Sequence, residues 1–118
     1  MKIVHMSPDA REPATGDLFI GPVERQMLVS PAESQQVRVA LVTFIDGAKN
    51  RMHRHDVDQV LVITEGEGIV QVDGQEEKRV GPGDVVLIPA GEQHWHGAAP
   101  GRTMSHLTIT TIARPATG

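Results

Sequence analysis

Five of the chain's six histidines fall between residues 53 and 106. His53 and His55 stand two apart behind Gly47-Ala-Lys-Asn-Arg-Met, and Gln59 follows four residues after His55. His94 and His96 repeat that spacing behind Gly83-Asp-Val-Val-Leu-Ile-Pro89-Ala-Gly91-Glu-Gln, and His106 stands on a later apolar run. Residues i and i+2 of an extended chain point to the same face, so each pair offers two imidazoles together. Imidazole suits borderline first-row metals, and three imidazoles with one oxygen donor leave coordination positions open for a ligand. The residue types therefore point to a metal-centred site split over two strand–turn units. A lone histidine is more often a surface or core residue; it is the pairing that favours coordination. By parity His96 faces the same cavity as His94 or hydrogen-bonds at its mouth. His106 shares a strand face with Met104, Thr108 and Thr110, which allows an inward position. Asp56 and Asp58 flank this region but suit a turn better than a coordination shell. Trp95 points away from both neighbours and reads as a packing residue, and His5 stands apart from the site.

The elements that must hold these side chains are short strands. Residues 37–45, Val-Arg-Val-Ala-Leu-Val-Thr-Phe-Ile, are rich in β-branched residues and predict a strand buried on both faces, as do residues 59–64. Ala40 and Val42 share one face of the first and form a small apolar pocket wall. Residues 68–72 and 75–80 flank Asp73-Gly74, which predicts a hairpin with a type I′ turn. Residues 84–88 and 104–112 predict two further strands, and weaker ones are expected at 2–5, 18–20 and 25–30. Residues 7–17 read as a polar loop and 113–118 as a frayed tail. Gly66-Glu-Gly68 leads into strand, so it is no dinucleotide-binding turn. No segment carries a helical period. Many short strands separated by Gly and Pro predict an all-β sandwich or barrel.

Composition narrows the function classes. At 118 residues the chain predicts one domain, residues 1–118, with a sizeable core. It has no cysteine, so neither disulfides nor thiolate ligands contribute, and a cytoplasmic setting fits. The apolar run within residues 1–8 is too short for a signal peptide, and no stretch approaches membrane-spanning length. A net charge of −4 without a basic cluster argues against nucleic acid as a partner. Two Phe, one Trp and no Tyr also leave few stacking platforms for single strands.

The spacings Gly47-x5-His53-x-His55-x3-Gln59-x6-Gly66 and Gly83-x5-Pro89-x-Gly91-x2-His94 resemble the two motifs of the cupin family. Motif one spans residues 47–66, motif two 83–98, and a hairpin joins them. The resemblance implies a double-stranded β-helix (jelly-roll) barrel holding one divalent transition metal, with His53, His55, Gln59 and His94 as ligands. The chain departs from the usual pattern twice: Gln59 stands where glutamate is usual, and Ala98 where asparagine often ends the second motif. The run His94-Trp-His-Gly-Ala-Ala-Pro100 with Met104-Ser-His-Leu107 is similar to the small bacterial manganese-dependent cupin hydroxynitrile lyases. That likeness implies manganese, with Fe, Zn, Ni or Co as alternatives. It also implies a homodimer, and His106 as the base acting on a cyanohydrin hydroxyl.

Three imidazoles and an amide are all neutral, so they cancel none of a divalent cation's charge; a carboxylate would cancel one unit. Such a site holds its metal less tightly and polarises an oxygen ligand more strongly. The expected reaction lowers the pKa of a small substrate's hydroxyl, passes the proton to His106 or His96, and breaks the adjacent carbon–carbon bond. Two other readings stay open. A neutral three-histidine site also holds Fe(II) in oxygen-using dioxygenases, and a non-catalytic barrel can anchor a small ligand on its metal.

Overall fold

The computed structural model describes residues 1–112, and the expected tail at 113–118 lies outside them. Eleven strands follow a short 3-10 turn at Pro8–Ala10: β1 (Glu12–Pro13), β2 (Phe19–Ile20), β3 (Val23–Val29), β4 (Val37–Phe44), β5 (Lys49–Asn50), β6 (Gln59–Gly66), β7 (Gly68–Val72), β8 (Lys78–Val80), β9 (Val85–Ile88), β10 (His94–Ala98) and β11 (Met104–Thr111). They form two antiparallel sheets, a six-stranded one in the order β1-β3-β4-β11-β6-β9 and a five-stranded one in the order β2-β5-β10-β7-β8. This is an all-β jelly-roll barrel. Among the described residues no helix is long and apolar enough to cross a membrane.

The core lies between the sheets. Val42, Phe44, Ile63 and Met104 from the larger sheet meet Ala98 from the smaller one, with Val23 and Ala48 completing the cluster. Phe44 is fully buried. Burying such a side chain contributes about 2–3 kcal/mol, and truncating it to alanine costs about 3–5 kcal/mol because a cavity remains. Its ring packs 6.3 Å from that of Phe19, 5.8 Å from His96 and 5.5 Å from His106, so the same residue that fills the core also braces two histidines.

Several expectations are corrected. Residues 2–5 form no strand, because side chains replace the ladder there: Gln26 Nε2 donates to the His5 carbonyl and Lys2 Nζ to the Leu28 carbonyl. Strand β6 alternates buried and half-buried residues rather than burying both faces, and β4 is buried fully only in its second half, from Ala40. At the β7–β8 turn only Gly74 takes a positive φ, 79°, which with the Gln75 N–H to Val72 carbonyl bond is the type II rather than the type I′ pattern. The polar loop at 7–17 contains the 3-10 turn and β1.

Candidate metal centre

The two histidine segments are tied together by backbone hydrogen bonds. His53 and His94 exchange both, His53 N–H to His94 carbonyl at 2.9 Å and the reverse at 2.8 Å. The turn after Pro89 holds the rest of the loop: Gly91 N–H donates to the His55 carbonyl at 2.7 Å, and Ala90 N–H to Asp58 Oδ1 at 2.8 Å. Asp58 is therefore a turn residue. Each sheet contributes to the opposite walls, with Gln59 and His106 from β6 and β11, and His94 and His96 from β10.

Ring-centroid separations are 4.8 Å for His53–His55, 4.4 Å for His53–His94 and 5.7 Å for His55–His94. His96 stacks at 5.6 Å on His94. Donor nitrogens of His53, His94 and His96 lie within 4.8 Å of one another, so three histidines are placed as a metal site would require. Hydrogen bonding separates the four rings further. His53 Nδ1 lies 2.6 Å from the Arg51 carbonyl and His94 Nδ1 2.8 Å from the Glu92 carbonyl. A carbonyl only accepts, so each Nδ1 carries the proton and each Nε2 keeps its lone pair, the arrangement metal-binding imidazoles adopt. His55 Nε2, His94 Nε2 and Gln59 Oε1 are all buried without a partner. Buried polar atoms are almost always paired, so these three orphans are donors that a bound cation would satisfy. The donor set fits a divalent cation. His96 differs: its Nδ1 lies 3.1 Å from His106 Nε2 and its ring 3.3 Å from Asn50 Nδ2.

His53, His55, His96 and His106 are biased toward the neutral form. Burial lowers the pKa of His53 and His55, with the neighbouring rings adding to it; the Arg51 carbonyl opposes this at His53 and Asp56 at His55. Burial first, then His106, His94 and the other rings, push His96 well below its usual value. Burial pushes His106 down to about 4. A neutral imidazole can donate electrons to a metal or accept a proton; an imidazolium can do neither.

A cavity of about 430 Å³ opens beside the cluster. Ala40, Val42, His96, His106 and Thr108 line it, with His53, His55 and Gln59 on its inner side. His106 Nδ1 is buried and unpartnered there. His96 is only 3% exposed, so it faces this interior and does not stand at the mouth. Trp95 is half-buried on the other side, its Nε1 donating to Gln71 Oε1 and its ring under Lys49 Nζ.

Two positioning residues escape a reading of the chain alone. Thr108 Oγ1 accepts from Gln59 Nε2 at 2.7 Å, anchoring the amide whose oxygen is the orphan. Asn50 Oδ1 accepts the His96 backbone N–H at 2.8 Å, which turns its Nδ2 toward the His96 ring. Asn50 comes this close because β10 has glycine at 97, where a Cβ would lie 2.4 Å from Lys49 Cβ. Asn50 stands between Lys49 and Arg51, so no local contrast in polarity marks it. For Thr108 the available signal was the parity shared with His106.

The family model described as a cupin domain matches residues 40–110, more than half of the chain. The chain belongs to the cupin family. This cupin is 38% identical over 109 residues to the (R)-mandelonitrile lyase of Granulicella tundricola, covering 92% of this chain and 83% of that one. It is 49% identical over 45 residues to an acireductone dioxygenase of Rhodopseudomonas palustris, covering 36% of this chain but 27% of that protein. Among solved structures, a cupin-like protein from Thermotoga maritima superposes with a TM-score of 0.80 at 37% identity, over 84% of this chain and 75% of that one. The polyketide cyclase RemF from Streptomyces resistomycificus has the same fold, with a TM-score of 0.83 at 21% identity, over 98% of this chain and 82% of that one.

Proposed function

We propose that this cupin is a metal-dependent lyase of the hydroxynitrile type, cleaving the carbon–carbon bond beside the hydroxyl of a small cyanohydrin. The observation that carries the reading is the unpartnered His106 Nδ1 in the same cavity as the orphaned donors of His55 and Gln59. His53, His55, Gln59 and His94 would hold one divalent cation, manganese by preference, which supplies Lewis acidity undiminished by any ligand charge. His106 Nδ1 takes the hydroxyl proton. As the O–H bond breaks, its electron pair becomes the second bond of the carbonyl, and the pair of the carbon–carbon bond leaves with cyanide. His96 and Phe44 brace the His106 ring. Ala40 and Val42 form the apolar wall for the substrate's hydrocarbon part. The similarity to a mandelonitrile lyase supports this chemistry over other lyase reactions. We take residues 1–118 as one domain that pairs as a cytoplasmic homodimer.

The test is mandelonitrile cleavage under anaerobic conditions by manganese-loaded wild type and His106→Ala, each with its metal content measured. The wild type should release benzaldehyde, and the variant should keep its metal while losing roughly 10²–10⁴ in rate. An inactive wild type at full manganese occupancy would reject the reading. Equal rates in the two proteins would move the base to His96. One observation favours a second reading: a 45-residue stretch of this chain is 49% identical to part of an acireductone dioxygenase. An oxygen-dependent turnover would select it.

A further inference from the structure

Two solvent-exposed arginines line the mouth of the cavity, on the same sheet as His106 and Gln59. Side chains alternate along a strand, and Arg38 shares its parity on β4 with Ala40, Val42 and Phe44, all of which line the cavity. Arg25 does the same on β3 with Met27. Cross-strand register ties each arginine to the reaction centre. Arg25 lies opposite Val42, which lies opposite His106. Arg38 lies opposite Thr110, which lies opposite Gln59. Each guanidinium is thus rooted two strands from the site residue on its row, about 10 Å at ordinary strand spacing.

Neither cation is used by the fold. Among the described residues the ion pairs are Lys2–Glu33, Arg11–Glu65 and Arg79–Glu67, and neither Arg25 nor Arg38 is in any of them. Glu12 faces Arg25 across the β1–β3 ladder without pairing with it. The single carboxylate on the cavity wall, Asp56, belongs to the loop beside His55. Two planar, fork-shaped donors beside one concave space suit a carboxylate, which each can grip through two hydrogen bonds.

We propose that the natural substrate is a small organic acid, its carboxylate held between Arg25 and Arg38 and its hydroxyl or carbonyl oxygen at the histidine cluster. This rests on the histidine side being the reaction centre. The spacing calls for a carboxylate about one aromatic ring away from the reacting oxygen, and the cavity of about 430 Å³ accommodates a single-ring acid.

Calorimetric titration of the manganese-loaded protein with 4-formylbenzoate and with its methyl ester tests this. The two share the aldehyde and the ring and differ in charge. The acid should bind at least about tenfold more tightly than the ester, as charge-assisted hydrogen bonds usually give. In Arg25→Gln/Arg38→Gln that preference should fall to near unity, with ester binding unchanged as the check that the barrel is intact. Equal binding of the two by the wild type, or no binding of either, would overturn the proposal. So would a preference that survives the double substitution, since the carboxylate would then sit on the histidine side. The lyase reading fails separately: an acid preference lost with the arginines, in a protein that cleaves neither mandelonitrile nor its 4-carboxy derivative, keeps the acid site and removes the lyase.

Discussion

Gln59→Glu separates a metal ligand from a hydrogen-bonding core amide, because the two side chains have nearly the same shape and differ in charge. Gln59 is 6% exposed, its oxygen is buried without a partner, and burial biases His53 and His55 toward the neutral form. Without metal, a carboxylate there has no cation to meet. It must take a proton itself or hand a charge to a histidine. If it takes the proton, its folded pKa rises above the unfolded value of roughly 4.3. Below pH 4.3 both states of the variant are protonated and it matches wild type. Above that, the penalty grows by about 1.4 kcal/mol per pH unit, reaching at most roughly 4 kcal/mol at pH 7. With metal the sign reverses, because the carboxylate cancels one unit of charge and expels that proton. The variant's metal affinity should therefore exceed wild type's by more than about tenfold at pH 8 and lose about tenfold of that advantage per pH unit on acidification. Chelator competition at pH 6, 7 and 8 measures this, and thermal unfolding of the metal-free proteins measures the penalty. Equal affinities with equal pH slopes would refute the placement of Gln59 against the metal.

The metal-free wild type should itself lose stability in mild acid. His106, held at about 4 by burial, refuses a proton that its unfolded counterpart accepts near 6.5. Its contribution is thus complete above pH 6.5 and falls by roughly 3 kcal/mol toward pH 4; a urea midpoint that does not move over this range would count against a buried neutral imidazole. Gly97→Ala should destabilise the barrel by about 1–3 kcal/mol, because the new Cβ meets Lys49 Cβ at 2.4 Å and the Ala48 carbonyl oxygen at 2.7 Å. An unchanged melting temperature would mean that β5 is free to shift. The His106→Ala comparison under the proposed function completes the set.

The barrel was legible because its signals are local. Runs of β-branched residues bounded by Gly and Pro mark β4, β6, β7, β9 and β11 to within a residue or two, since each such strand carries its own propensity and its own stops. What escaped was set by the partner strand. Strand β5 is only Lys49–Asn50, too short for any periodicity, and exists because Gly97 lets it approach β10. The segment at 2–5 has strand-like residues but meets β3 through the Gln26 and Lys2 side chains rather than through a backbone ladder. The even burial expected of β6 fails because β9 is an edge strand whose Val85 and Leu87 stay exposed beside it.

The site divides along the same line. Covalent spacing alone puts His53 beside His55 and His94 beside His96, so the sequence displays those donors whatever the tertiary structure does. Whether a ring carries a lone pair or a proton toward the cavity depends on carbonyls and amides from elsewhere. The Arg51 and Glu92 carbonyls lie only two residues before their rings, yet nothing in the residue types at 51 and 92 announces that their backbones will turn to receive an Nδ1 proton. Asn50 reaches His96 across 46 positions of chain, and Arg25 reaches the row of His106 through two strand registers. The distinction has a chemical consequence. Residues readable from spacing would bind the metal, and that function tolerates many folds. Residues visible only in three dimensions would orient the proposed base and face the far end of the proposed substrate. In that reading they would decide which bond is broken in which molecule, which is why a candidate metal site is easier to read from sequence than a substrate.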